Sequence, residues 1–181
     1  MLLVNVDKKE GKGTMQKYVE EFRADLDEFH EMTGKFYRGE ISIPEYKAFS
    51  GGFGSYAQRG GERSMLRLRL SCGEINMDYL KFIADSVKKY KIDMVHLTTC
   101  QTIQLHNLTE DTVCALSTEA LEHGIITRGG GGDFPRNVMA SPLAGAETDE
   151  YFDVTPYAKE AARHLLGFIK MGKFPRQLKV C

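Results

Sequence analysis

MLRLRLSCGEINMDYLKFIADSVKKYKIDMVHLTTCQTIQLHNL, residues 65–108, is the stretch whose reading decides the fold. Residues 65–70 alternate: Leu66, Leu68 and Leu70 fall on one face of an extended chain, Arg67 and Arg69 on the other. Asn76 then caps a helix whose apolar stripe is Leu80, Ile83, Val87 and Tyr90. Residues 94–99 read as a second strand and 102–108 as a third. Thr109 caps a further helix carrying Val113, Leu116, Ala120 and Leu121, Gly124 closes it, and residues 125–127 are a short fourth strand. The succession β-α-β-β-α-β predicts an α+β unit with an antiparallel sheet and its helices on one face, in the ferredoxin-like manner.

Upstream, Met15, Tyr18, Val19, Phe22, Leu26, Phe29 and Met32 recur at three- and four-residue steps. They predict one amphipathic helix, capped by Thr14 and stopped at Gly34. Residues 40–50, with Pro44, read as a connector holding one short helical turn, and SGGFG at 50–54 as punctuation. Downstream, GGGGDFPRN at 129–137 strips four consecutive side chains from the backbone, so a bulky group can come close. Pro135 then stiffens the path to a cation, Arg136. After a stretch of small residues, Thr155 and Pro156 start a helix with Tyr157, Ala161, Leu165 and Phe168 on its apolar face. The chain reaches Cys181 just as a strand begins, as expected of a piece of a longer subunit.

Bulk properties narrow the function. The chain has 181 residues, 42% of them hydrophobic, enough for one sizeable core or two small ones sharing an interface. A formal net charge of −1 argues against a general nucleic-acid binder. Apolar runs fall short of the ~18 residues a membrane span requires, and the first residues lack a secretory pattern, so no membrane association and a cytoplasmic location are expected. The four cysteines, Cys72, Cys100, Cys114 and Cys181, form no CxxC pair and make neither a disulfide framework nor a metal site. Cys72 and Cys114 read as isolated buried thiols.

Four separated segments carry a resemblance: MLRLRL (65–70), HLTTCQTIQLH (96–106), TRGGGGDFPRNVMASPLAG (127–145) and FPRQLKV (174–180). In order and spacing they resemble the N-terminal portion of the sirohaem-dependent nitrite and sulfite reductases, from about residue 49 onward. The resemblance implies a helical segment over 1–50, a ferredoxin-like half-domain over 51–108 and an incomplete α+β sirohaem/[4Fe–4S] domain over 109–181. It implies an oxidoreductase that reduces sulfite to sulfide or nitrite to ammonia with six electrons. Side chains cannot store electrons on that scale, so the implied cofactors, sirohaem coupled to a [4Fe–4S] cluster, must supply that chemistry.

Carried over residue by residue, the resemblance assigns Arg67, Arg136 and Lys179 to the oxyanion and its protons. Sirohaem and its carboxylates fall to Thr98, Gln104, His106, Arg128, Gly129, Gly130, Gly131 and Asn137. Thr98, Cys100, Thr102, Gln104 and His106 share one parity and would form one face if the chain stays extended between them. Arg69 reads as a solvent-facing strand residue. Two positions depart from the family's pattern: Cys100 stands where an arginine is usual, and Gln177 where a lysine is frequent. Losing cations favours singly charged nitrite over doubly charged sulfite. The cluster cysteines would lie beyond Cys181, so the chain by itself is expected to be inactive. Ferredoxin or a flavoprotein is the implied electron donor. A non-catalytic tetrapyrrole-binding or scaffold module of the same ancestry is the alternative. An RNA-binding domain is disfavoured because residues 65–70, 94–99 and 102–108 contain no aromatic for base stacking.

Overall fold

β2 (Ser64–Arg69) is the strand around which the molecule is organised. It pairs antiparallel with β1 (Ser55–Ala57) on one side and β4 (Thr102–Leu108) on the other, and β3 (Val95–Leu97) closes the four-stranded sheet in the order β1-β2-β4-β3. The computed structural model describes residues 8–171, 174 and 178–181, with side chains from Gln16 onward; Gln177, singled out above, lies outside them. The predicted α+β architecture with an antiparallel sheet is present. Leu66, Leu68, Leu70, Ile103, Leu105 and Leu108 form the buried face and pack on Phe82 and Ile83 of α4 (Met77–Lys89) and Val113, Leu116 and Ala120 of α5 (Glu110–Glu122). Burying each of these side chains contributes roughly 1.5–3 kcal/mol before chain entropy is counted. Asn76 and Thr109 cap α4 and α5, accepting from the amides of Tyr79 and Thr112.

Three elements differ from the sequence reading. The single upstream helix is two, α1 (Lys8–Arg23) and α2 (Leu26–Tyr37), broken at Ala24 and Asp25. The apolar stripe runs through the break, because Phe22, Leu26 and Phe29 are all buried; periodicity alone cannot register a kink that keeps its phase. Asp25 is recruited at the break by the guanidinium of Arg128 and the ammonium of Lys170. Thr14 lies inside α1, and Gly34 lies inside α2, where a β-carbon would come within 2.9 Å of the Arg38 guanidinium. The connector at 40–50 holds α3 (Ile43–Ser50), capped by Ser42 with Pro44 in its first turn.

The remaining strand of the sheet is β1, preceded by a 3-10 turn at Gly51–Phe53, and not residues 125–127. That segment keeps only one sheet-like bond, Arg69 N–H to the Ile126 carbonyl at 3.0 Å. α6 (Thr155–Leu166) starts where Thr155 and Pro156 predict, but the side chain that accepts the Thr155 amide is Asp153, at 2.8 Å. A parallel bridge between Val138 and Val180 brings the end of the described chain beside the glycine-run loop.

Candidate functional site: a cation-lined cavity

The sheet face opposite the leucines is built in rows. Cross-strand pairing sets His96, Gln104 and Arg67 side by side, and Thr102 beside Arg69. Thr98 joins the second row because residues 98–101 turn back, with Thr98 N–H bonded to the Thr102 carbonyl and Gln101 at φ 53°. The chain is therefore a hairpin, not extended, between Thr98 and Gln104. The shared face survives because residues paired across a hairpin point the same way.

Above this face lies a cavity of about 440 Å³ lined by Arg67, Arg69, Arg136, Lys179 and His96, together with Thr98, Cys100, Thr102, Gln104, Gly130 and Asn137. Among the described residues no aspartate or glutamate lines it. The three residues assigned to the oxyanion thus converge beside the glycine run. Lys179, distant in sequence, is delivered by backbone pairing: Arg136 N–H donates to the Leu178 carbonyl at 3.0 Å and Met139 N–H to that of Val180 at 2.9 Å.

Within the cavity each side chain has a distinct anchor. Arg67 donates to the Gly130 carbonyl at 2.5 Å, and Arg136 to that of Gly132 at 3.3 Å. Asn137 is buried, and its Nδ2 reaches the carbonyls of Leu70, Cys100 and Gln101 at 2.9–3.1 Å. It ties the loop to the end of β2 and to the hairpin turn. Thr98 and Thr102 share a hydroxyl–hydroxyl bond of 2.7 Å. Burial, with the neighbouring Arg136 charge, lowers the pKa of the Arg67 guanidinium from its usual value and pushes that of Arg69 down to about 10.

Gln104 can meet its neighbours in two ways. Turned one way, its amide oxygen faces His106 Nε2 at 3.1 Å. Turned the other, the oxygen accepts from Arg67 Nη2 at 2.7 Å and Nε at 3.2 Å, while the amide nitrogen donates to His106 Nε2. The second orientation serves the guanidinium but sets an N–H against each ring nitrogen of His106. Nδ1 lies 3.3 Å from Gln58 Nε2, and the Gln58 oxygen is already engaged by the Asn107 amide at 2.7 Å. A neutral imidazole carries one proton, so in the second orientation the ring accepts from only one of these two amide groups. Burial, then the His96 and Arg67 charges, hold His106 below its ordinary value and keep it from becoming a second cation.

Other residues singled out in the sequence lie outside the cavity. Arg128 donates to Asp25 at 3.0 Å and to the Gly52 carbonyl, and stacks over Phe53 with 4.1 Å between guanidinium carbon and ring centre. The glycines meet the protein itself. A β-carbon on Gly129 would stand 2.6 Å from Arg69 Nη1, and one on Gly131 would stand 2.6 Å from the Gly51 carbonyl and strike Tyr56. Gly130 alone of the three lines the cavity. His106 stands one hydrogen bond behind Gln104. Cys72 and Cys114 are half-buried rather than buried; the Cys114 thiol is raised to about 11 by burial and then by Glu110.

Two contributors escaped the sequence reading. Arg69 is 8% exposed, not solvent-facing, and its guanidinium spans the carbonyls of Arg128 and Arg136, both at 3.0 Å. Tyr56, on the unrecognised β1, accepts the Gly132 amide at 2.8 Å. The alternation in 65–70 places Arg69 beside Arg67, but only the loop folding over both distinguishes a covered face from a wet one.

Comparison with known proteins converges on one family. The nitrite/sulfite reductase ferredoxin-like half domain matches residues 56–123, and the nitrite and sulphite reductase 4Fe-4S domain matches residues 131–181. The chain is 29% identical over 140 residues to the assimilatory ferredoxin-dependent nitrite reductase of Haloferax mediterranei, covering 71% of this chain and 24% of that protein. It is 28% identical over 115 residues to the ferredoxin sulfite reductase of Mycobacterium tuberculosis, covering 64% and 21% respectively. The fold matches the solved structure of the Mycobacterium tuberculosis NirA protein with a TM-score of 0.69 and 22% identity, over 86% of this chain and 32% of that one. The chain spans about a quarter or less of the length of these two curated relatives. With both domain matches in order and the fold shared, the chain belongs to the nitrite/sulfite reductase family.

Proposed function

We propose that this chain supplies one wall of the catalytic pocket of a sirohaem-dependent reductase acting on sulfite or nitrite. The observation that carries this reading is the cavity itself: three arginines, a lysine and a histidine around one hollow, with no lining carboxylate among the described residues. Uncompensated cations in a partly dry site cost stability unless an anion joins them. Both the carboxylates of sirohaem and the oxyanion have that chemistry.

The residues fit sirohaem as an acidic group. Thr98, Gln104 and Asn137 offer polar contacts along the wall, Gly130 lines it, and the arginines and Lys179 offer charge. Arg128, Gly129 and Gly131 act behind this wall, since their neighbours are protein groups; His106 acts through Gln104. Bound sirohaem would supply the electron transfer that side chains cannot. Arg67 and Arg136 would orient the oxyanion by paired N–H donation, and Lys179, a more readily deprotonated cation, would hold a transferable proton at Nζ.

A [4Fe–4S] cluster does not fit here. Among the described residues no group of three or more His, Cys, Asp or Glu side chains could hold a metal. On this reading the cluster is held outside the described residues. The named relatives use ferredoxin, which is the donor proposed here. No described helix is long and apolar enough to cross a membrane. Cys100 lines the cavity where a further cation would favour a doubly charged substrate, which favours nitrite.

The test is to express the full-length protein carrying this chain, record its absorbance for a reduced isobacteriochlorin, and assay nitrite and sulfite reduction with ferredoxin. Cofactor binding with turnover of either anion supports the proposal. A protein that turns over neither anion, with or without bound sirohaem, is the non-catalytic alternative and refutes the proposal.

A further inference from the structure

Arg69 is the one cavity-lining guanidinium that is buried and has both terminal nitrogens committed to backbone. Nη1 donates to the Arg128 carbonyl and Nη2 to that of Arg136, both at 3.0 Å, so one side chain braces the loop near its beginning and near its end. Gly129 is tied to this arrangement: a β-carbon there would stand 2.6 Å from Arg69 Nη1. No carboxylate among the described residues offsets the Arg69 charge, whereas Arg128, at the start of the same loop, is paired with Asp25. A buried, hydrogen-bonded but unpaired cation costs stability that a simple loop brace does not require, because neutral donors would satisfy the same two carbonyls.

We propose that Arg69 is a positioning residue for the anion site: it fixes Arg136 through that residue's carbonyl and adds a buried positive charge beneath the bound oxyanion. The inference rests on the reading of the cavity as an oxyanion site. Arg67 touches the anion and Arg69 does not; Arg69 acts through the loop and through its field. A charge shielded from solvent is weakly screened, so its contribution should persist at salt concentrations that abolish the effect of the exposed Lys179.

The experiment uses the sirohaem-loaded full-length protein and compares wild type with Arg69→Met, Arg69→Gln and Arg69→Lys. Kd for sulfite and for nitrite is read from the change in cofactor absorbance, at about 20 mM and about 300 mM salt. KM and kcat are measured alongside, and cofactor content and melting temperature monitor folding. The uncharged variants should raise Kd and KM roughly tenfold at both salt concentrations, with kcat within about twofold. Lysine keeps the charge but not the two-pronged brace, so its Kd should fall between those of wild type and the uncharged variants. If Met does not fold, the Gln variant supplies the uncharged comparison. Unchanged Kd in a folded uncharged variant overturns the inference and leaves the proposed function standing. So does an equal loss in the lysine and uncharged variants, or a change confined to melting temperature. A wild-type protein that binds neither anion removes the proposed function itself, a result separable from the others.

Discussion

Arg128 and Arg69 lie against the same short loop and handle their charge in opposite ways. Arg128 is paired with Asp25, lies on the Phe53 ring and joins the hydrophobic seam between α1, α2 and the end of α5, where Phe22, Leu26, Leu121 and Ile126 pack. Arg69, like Arg67 and Arg136, has no carboxylate partner among the described residues and lines a hollow. A compensated arginine holds two elements together and is finished when the chain has folded. An uncompensated one, kept in spite of its desolvation cost, marks a place where charge arrives from outside.

The strongest way to break this comparison is to remove a cavity cation proposed to hold the anion. Arg67→Met is expected to lower kcat/KM of the full-length reductase roughly 100-fold, the loss of a charged bidentate contact, with its melting temperature little changed. Steady-state kinetics with nitrite and sulfite, beside a thermal melt, checks both halves. Gly131→Ala tests whether the glycine run serves packing. A β-carbon there would push against the Gly51 carbonyl and Tyr56, so overpacking should cost about 1–3 kcal/mol in a denaturant titration. A full-stability alanine variant that loses only sirohaem would show that the run serves the cofactor directly.

Asp25→Asn addresses the compensated side. It strips the partner from Arg128 and Lys170 and should destabilise by about 1 kcal/mol, while leaving anion affinity at the wild-type value. A drop in affinity without loss of stability would erase the distinction between the two arginines. The smallest effect concerns His106. Its folded-state proton affinity is depressed, so below about pH 6.5 the unfolded chain binds a proton that the folded chain resists. Stability from this group is present above that pH and declines as pH falls through the lowered folded value. His106→Gln should flatten the acid limb of the stability–pH curve; an unchanged slope would mean that His106 titrates normally.

Much of this organisation is legible in residues 65–122. Strict alternation in β2 and the capped helices α4 and α5 are local signals that reappear at their predicted places, although α4 buries Phe82 beside Ile83 and leaves Leu80 of the predicted stripe exposed. β1 was missed because three residues behind a glycine cluster carry too little pattern, although the sheet recruits them as an edge. Residues 125–127 had the better β composition but lie where only the Ile126 carbonyl reaches β2. In the site, the convergence of Arg67, Arg136 and Lys179 follows from motifs read in order. The roles of Tyr56, Gln58 and Arg69 had no local signature.

The amino-acid order by itself determined the alternating strand, the capped helices, the glycine loop with its trailing arginine, and the family those segments belong to. These depend on neighbours a few residues apart, whose sterics and periodicity are written into the chain. Only the tertiary structure decided which arginine would be neutralised and which left bare, and that the four glycines fit protein side chains and backbone. Charge compensation and close packing are set by groups far apart in sequence: Asp25 with Arg128, Arg69 with Arg136, Tyr56 with Gly132. Such partners meet only after the backbone has folded, so no local pattern announces them.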